Sequence, residues 1–229
     1  MRDNIEGVAF DLDGTLYPDY RLNYRLLPII LKEFRLSVAF GRARNFFHHE
    51  PENDPSCPPP DFYQRQAVFV AEKLNSQPEV TKEKIERFIY RAWEPPFKTV
   101  KPFPHAAETL AALRAAGFKL GLMSDFPPET KLEYLGLSGI WDAELCSERC
   151  GMLKPHLLPF KELAAALALP PEKILYVGNS RSFDVAGAHR AGVKTAWIKS
   201  PLFPGKGRKK PLPDFAFSDY RQLQNFMLN

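Results

Sequence analysis

Asp11-Leu12-Asp13-Gly14-Thr15 sets two carboxylates two positions apart, just after the apolar run Gly7-Val8-Ala9-Phe10. Alternate side chains of a strand share a face, so both acids can reach one point while Leu12 turns back to the core. Gly14 lets the chain turn sharply behind them. Carboxylates this close repel, which disfavours joint ionisation unless a cation lies between them or one keeps a proton. Either resolution serves chemistry, with one acid as nucleophile and the other as proton donor. A lone D-x-D reads as a polar strand end. The full five-residue string after an apolar strand points to an active centre.

Such a centre needs elements to hold it. Residues 7–11 read as a buried strand, as do 119–124, 174–178 and 195–198, while 141–146 and 215–217 are weaker candidates. Between them, 105–116 and 183–191 are helical patterns stopped by Gly117 and Gly192, and 157–168 is one that ends before Pro170-Pro171. Strands alternating with helices imply an α/β fold, a doubly wound parallel sheet covered on both faces. Ligands bind such sheets outside the carboxyl ends of the strands, where Asp11 and Asp13 stand.

Residues 17–100 break the alternation. Leu27, Ile30, Phe34 and Val38 recur at helical spacing and predict one amphipathic helix over 21–47, with the stripe buried against further helices at 63–74 and 81–93. A Pro- and Glu-bearing loop, 51–61, follows the first helix, and linkers at 16–20 and 94–104 join the insert to the sheet. Tyr17, Tyr20, Arg21 and Tyr24 lie near this hinge, facing either a cavity or hinge packing.

Four segments in order resemble the motifs of the haloacid dehalogenase-like (HAD) hydrolases, a family dominated by phosphatases. Asp11 to Thr15 resembles the first motif, Ser124 closing a strand the second, and Lys154-Pro155 the third. Gly178-Asn179-Ser180-Arg181-Ser182-Phe183-Asp184 resembles the fourth. The resemblance covers 7–15 and about 100–200, and implies a Rossmann-like core over 1–16 and 101–229 with a helical C1 cap over 17–100. It also implies a Mg2+-dependent phosphatase acting on a small phosphorylated metabolite. Asp11 would attack phosphorus, and Asp13 would protonate the leaving group and then activate water. Ser124, the backbone N–H of Asp125 and Lys154 would bind the phosphoryl group. Mg2+ would rest on Asp11, the Asp13 carbonyl, Asn179 and Asp184.

The pattern departs from the family at two places near the chemistry. Asn179 replaces the usual first Asp of the fourth motif, removing one negative charge from the metal site, and Asp125 replaces the usual Asn after Ser124. These departures keep a non-catalytic phosphometabolite-binding relic in view. A haloacid dehalogenase shares the nucleophile, but Asp13-Gly14-Thr15 favours phosphate, and a phosphomutase would reuse the aspartyl-phosphate.

The bulk composition narrows the classes. Net charge is +4, and no apolar run approaches the roughly 20 residues that span a bilayer. No secretory signal is read at the N-terminus, and the three cysteines, 57, 146 and 150, are too few for a disulfide framework, so the cytoplasm is expected. Cys146, Cys150 and His156 match no common zinc spacing. The basic run 206–210 reads as a solvated loop rather than a nucleic-acid site, and the basic first helix as a packed element rather than a membrane-surface one. The sequence sets no oligomeric state.

Overall fold

The structure, a computed structural model, describes residues 4–51, 61–92, 94–199 and 211–229, leaving aside the side chain of Arg21. The basic run 206–210, most of the 51–61 loop and Cys57 lie outside the described residues.

Gly7–Phe10 (β1) is buried at every position because helices cover both faces of the sheet around it. It pairs in parallel with Lys119–Ser124 (β2) on one side and Ile174–Gly178 (β4) on the other, Gly7 lying opposite both Lys119 and Ile174. Ala143–Cys146 (β3), Lys194–Ile198 (β5) and Phe215–Phe217 (β6) complete a sheet of order β3-β2-β1-β4-β5-β6. The reversal of direction at β1 makes the end of that strand the expected ligand crevice.

Strand alternation divides the core between the two faces. Val8, Phe10, Leu175 and Val177 join one apolar cluster with Leu110 and Leu113 of Ala106–Ala115 (α6) and Leu223 of Tyr220–Leu228 (α10). Ala9, Ile174 and Tyr176 join the other, with Phe160 and Leu163 of Leu157–Leu167 (α8) and Ala188 of Ala186–Arg190 (α9). The doubly wound α/β expectation holds.

Between β1 and β2 lie only helices: Asp19–Lys32 (α1), Phe34–His48 (α2), Phe62–Leu74 (α3), Pro78–Ile85 (α4) and Glu94–Phe97 (α5), with a π-helical stretch at Glu86–Arg91 after α4. They have their own core, including Phe40, Phe47, Phe62, Val70 and Ile89, to which Leu153 of the sheet region contributes.

The single helix expected over 21–47 is instead two. Glu33 leaves helical geometry (φ −115°, ψ 46°) after a first helix that already carries Pro28. The break shifts the angular phase, so Leu27, Phe34 and Val38 do not form the buried stripe and are solvent-exposed. Leu22 and Leu26 of α1, and Leu36, Ala39, Phe40, Ala43 and Phe47 of α2, carry the burial. Likewise the helix expected over 183–191 begins as a π-helical stretch, Arg181–Val185, before α9. Among the described residues no helix is long and apolar enough to cross a membrane.

Candidate active site

β1 delivers Asp11 to the crevice, where the Asp11 N–H donates to the Val177 carbonyl of β4 at 2.9 Å. One carboxyl oxygen of Asp11 accepts from Lys154 Nζ at 2.6 Å and the other from Thr15 Oγ1 at 2.7 Å. Lys154 also reaches Asp184 Oδ1 at 2.7 Å and the Tyr176 hydroxyl at 3.3 Å. The ammonium is thus buried between two carboxylates, a pairing that offsets the cost of taking it out of water. Burial disfavours the charged amine, yet Asp11 and Asp184 together lift Lys154 well above the ordinary lysine value. Burial also raises Asp11, to about 7, with Asp184 and Asp13 adding and Lys154 opposing.

Asp184 is seated by its own loop. Its Oδ2 accepts the Ser180 N–H at 2.8 Å, and Gly178 makes room for it, since a Cβ on that glycine would overlap the Asp184 side chain. The Asn179 side chain lies against Gly14, whose φ of +82° turns the chain behind the two acids, while the Asn179 carbonyl accepts Trp197 Nε1–H at 2.8 Å.

Asp13 is held from three directions. Lys131 Nζ lies 2.6 and 2.8 Å from its two oxygens, Ser124 Oγ donates to Oδ2 at 3.2 Å, and the Tyr17 hydroxyl donates to Oδ1. Burial alone would raise its pKa, but Lys131, Tyr17 and Lys154 outweigh that, leaving the carboxyl below its ordinary value. Tyr17 is therefore a direct partner of the second acid, buried edge-to-face on Phe97, while Tyr24 points to solvent. Ser124 also accepts the Phe126 N–H at 3.1 Å, the geometry of a tight turn at the strand end.

The Asp125 side chain braces the loops instead of facing the nucleophile. Its Oδ1 accepts from the Ser147 hydroxyl and from the Lys154 N–H at 3.3 Å. Burial opposes ionisation of Asp125, but Lys154 and Arg44 hold its pKa below the ordinary value.

The helical insert closes the crevice. Arg44 and His48, one turn apart on α2, line it together with Ser37, Val38, Phe40 and Gly41, and the cavity measures about 470 Å3. Arg44 pairs with the buried Glu148 and lies 4.2 Å from the Phe126 ring centroid. Glu148 also accepts the Tyr90 hydroxyl at 2.8 Å, while its Oε2 has no partner among the described residues. Burial lifts Glu148 to about 7 against the opposing pull of Arg44. His48 stacks on Phe183 at 4.1 Å, and its Nδ1 lies 2.5 Å from the Lys154 carbonyl. Because a carbonyl only accepts, that ring nitrogen carries the proton, and burial keeps the imidazole's pKa low.

Asp11, Asp13, Lys154, Asn179 and Asp184 line one cavity, with Asp125 on its wall, and Ser124 beneath touches Asp13. The sequence reading did not single out Lys131, Arg44, His48 or Tyr176, and Lys131 has no local signal beyond an ordinary helical stretch, Glu129–Leu135 (α7). Arg44 and His48 carry a faint one, their i, i+4 spacing on a helix, which their surroundings make meaningful. Cys146 is buried and Cys150 half-buried, both as free thiols.

The sequence model described as haloacid dehalogenase-like hydrolase matches residues 5–192. The chain belongs to the haloacid dehalogenase-like hydrolases. It is 35% identical over 225 residues to a glyceraldehyde 3-phosphate phosphatase of Methanocaldococcus jannaschii, covering 94% of this chain and 92% of that one. It is 28% identical over 232 residues to a phosphoglycolate phosphatase of Salmonella paratyphi A, covering 96% and 91%. Its fold superimposes on a HAD phosphatase from Thermococcus onnurineus with a TM-score of 0.65 at 21% identity, covering 98% of each chain. HAD phosphatases generally use Mg2+.

Proposed function

We propose that this HAD hydrolase is a Mg2+-dependent phosphatase of small phosphorylated metabolites, working through an aspartyl-phosphate on Asp11. The observation that carries it is the pairing of two differently held carboxylates: Asp11 against Lys154, and Asp13 over Ser124. Named relatives over nearly the whole chain are phosphatases of three-carbon and two-carbon phosphate esters, which supports a substrate of that size in a crevice of about 470 Å3.

A hard cation fits the donors. Asp11, Asp184, the Asn179 amide and the Asp13 carbonyl offer oxygen, which suits Mg2+. Among the described residues no three His, Cys, Asp or Glu side chains form a cage by themselves, so these few groups plus water are the natural shell for an ion that keeps several waters. When bound, the ion would neutralise charge on the phosphoryl oxygens and favour ionised Asp11.

The chain's own residues supply the rest. The Asp11 oxygen attacks phosphorus as the bond to the leaving oxygen breaks, and Asp13 delivers its proton to that oxygen. Asp13, now a base, takes a proton from water as the water oxygen attacks the aspartyl-phosphate, releasing inorganic phosphate and restoring Asp11. Ser124, the Asp125 backbone N–H and Lys154 hold the phosphoryl oxygens throughout. Residues 17–100 act as a cap whose Arg44 and His48 face the leaving group, and closure excludes water. The cytoplasm, expected from the few cysteines, belongs to the same reading.

The test is turnover of p-nitrophenyl phosphate with and without Mg2+, beside Asp11→Asn, which is nearly isosteric. Activity requiring both ion and carboxylate supports the reading. Equal activity in the variant sinks it.

A further inference from the structure

We propose that Lys131 is a positioning residue of the reaction, its ammonium fixing the Asp13 carboxylate in the orientation from which that acid serves the leaving group and the water. This rests on the phosphatase reading and adds to it a residue that the motifs leave unassigned.

The geometry is specific. Lys131 Nζ bridges both carboxyl oxygens of Asp13, at 2.6 and 2.8 Å, so it sets the plane of the carboxylate as well as its distance. A single contact would leave the group free to rotate about χ2, whereas a two-point grip does not. The other two partners then fall into place on separate oxygens, Tyr17 on Oδ1 and Ser124 on Oδ2. Among the described residues every hydrogen bond of the Lys131 ammonium goes to Asp13.

The surroundings hold the amine there. It lies 5.1 Å from the Phe97 ring centroid and 5.0 Å from that of Phe126, with only 11% of the side chain exposed. Cation–π contact on two sides favours the charged amine between the rings. Those rings come from opposite sides of the molecule, Phe97 from the last helix of the insert and Phe126 from the turn after β2. A secluded ion pair is a weak source of stability compared with apolar packing of the same volume. Its strength is orientation, which is what a proton-transfer group requires.

The far side of Lys131 lines a second cavity of about 290 Å3, shared with Glu86, Glu94 and Glu129. Phe126 and Ile89 line both cavities, so the Lys131–Asp13 pair sits at the partition between them. The three glutamates set negative charge on the side away from Asp11.

The experiment compares wild type, Lys131→Met and Lys131→Arg on p-nitrophenyl phosphate and on ethyl phosphate, with Mg2+ present. An alkoxide needs a proton to leave and nitrophenolate does not, so the two esters separate the half-reactions. With ethyl phosphate, Lys131→Met should lose about 10- to 100-fold in kcat, with KM within about threefold. With p-nitrophenyl phosphate, the first turnover should stay near the wild-type rate while steady state slows. The result is a burst of nitrophenolate, because hydrolysis of the aspartyl-phosphate still needs Asp13 as base. Lys131→Arg, which can keep the two-point grip, should recover most of the loss. Should the methionine variant fail to fold by thermal melting, Lys131→Gln is read against the same criteria. Wild-type-like turnover in Lys131→Met, or equal losses in burst and steady state with a raised KM, overturns the role of Lys131 alone. A wild-type protein silent on both esters overturns the phosphatase reading and this role with it.

Discussion

Gly178→Ala adds one methyl group, and the structure says where it goes: into the Asp184 side chain. The position needs space, not an unusual backbone, so the cost follows from what Asp184 must give up. Its carboxylate accepts from Lys154 at 2.7 Å and from the Ser180 N–H at 2.8 Å, and moving aside strains both. Hydrogen bonds to charged groups contribute about 1.5–3 kcal/mol each, so partial loss of the two gives a destabilisation of about 3–5 kcal/mol. For a chain of this length that lowers Tm by roughly 6–20 °C. Lys154 would then lean on Asp11 alone, and turnover should fall by at least about tenfold. Gly41→Ala is the stability control, since nothing lies within 4 Å of its Cβ and alanine in a helix gains about 0.5–1 kcal/mol over glycine. The assay is thermal and urea unfolding of both variants, with aryl phosphatase rates alongside. A Gly178→Ala protein within about 1 kcal/mol of wild type, with normal turnover, refutes the claim that Asp184 is pinned.

Other perturbations follow from the same geometry. Glu148 is raised by burial to about 7, so its neutral form favours folding below about pH 4.5, and that contribution is lost as pH rises through about 7. Glu148→Gln removes the titration, so the Tm gap between wild type and variant should narrow from pH 5 to pH 8, and a constant gap contradicts it. Asn179→Asp restores a carboxylate beside Asp11 and should lower the Mg2+ concentration for half-maximal activity by about tenfold, or about 1.4 kcal/mol. An unchanged Mg2+ requirement would remove Asn179 from the ion's shell. Tyr17→Phe keeps the edge-to-face contact with Phe97 but deletes the hydroxyl on Asp13, and kcat should drop about 5- to 30-fold while Tm moves little.

The sheet was legible because its signals are local. The apolar runs ending at Asp11, Ser124 and Gly178, each followed by polar turn residues, mark the strand ends that carry the chemistry, and the glycines after α6 and α9 mark the helix stops. The insert was legible in kind but not in phase. One residue, Glu33, leaves the helix and redirects the apolar residues that a continuous helix would have buried, and no propensity at that position announces it. Lys131, Arg44 and Glu148 were hidden for another reason. Their partners lie 118 residues away in one case and 104 in the other, so their meaning exists only after the chain has folded.

β1 is complete at residue 10, yet its neighbours in the sheet end at residues 124 and 178. At synthesis rates of about 5–20 residues per second, the strand waits roughly 10–30 s for its second partner. During that interval the insert's helices, built on contacts closer along the chain, can form ahead of it. A free apolar strand is a template for pairing with the wrong chain, and flanking charges are the usual protection. Asp11 and Asp13 sit at that flank. The same two carboxylates that the finished fold gathers around Lys154 and Lys131 guard the unpaired strand while the ribosome completes the sheet.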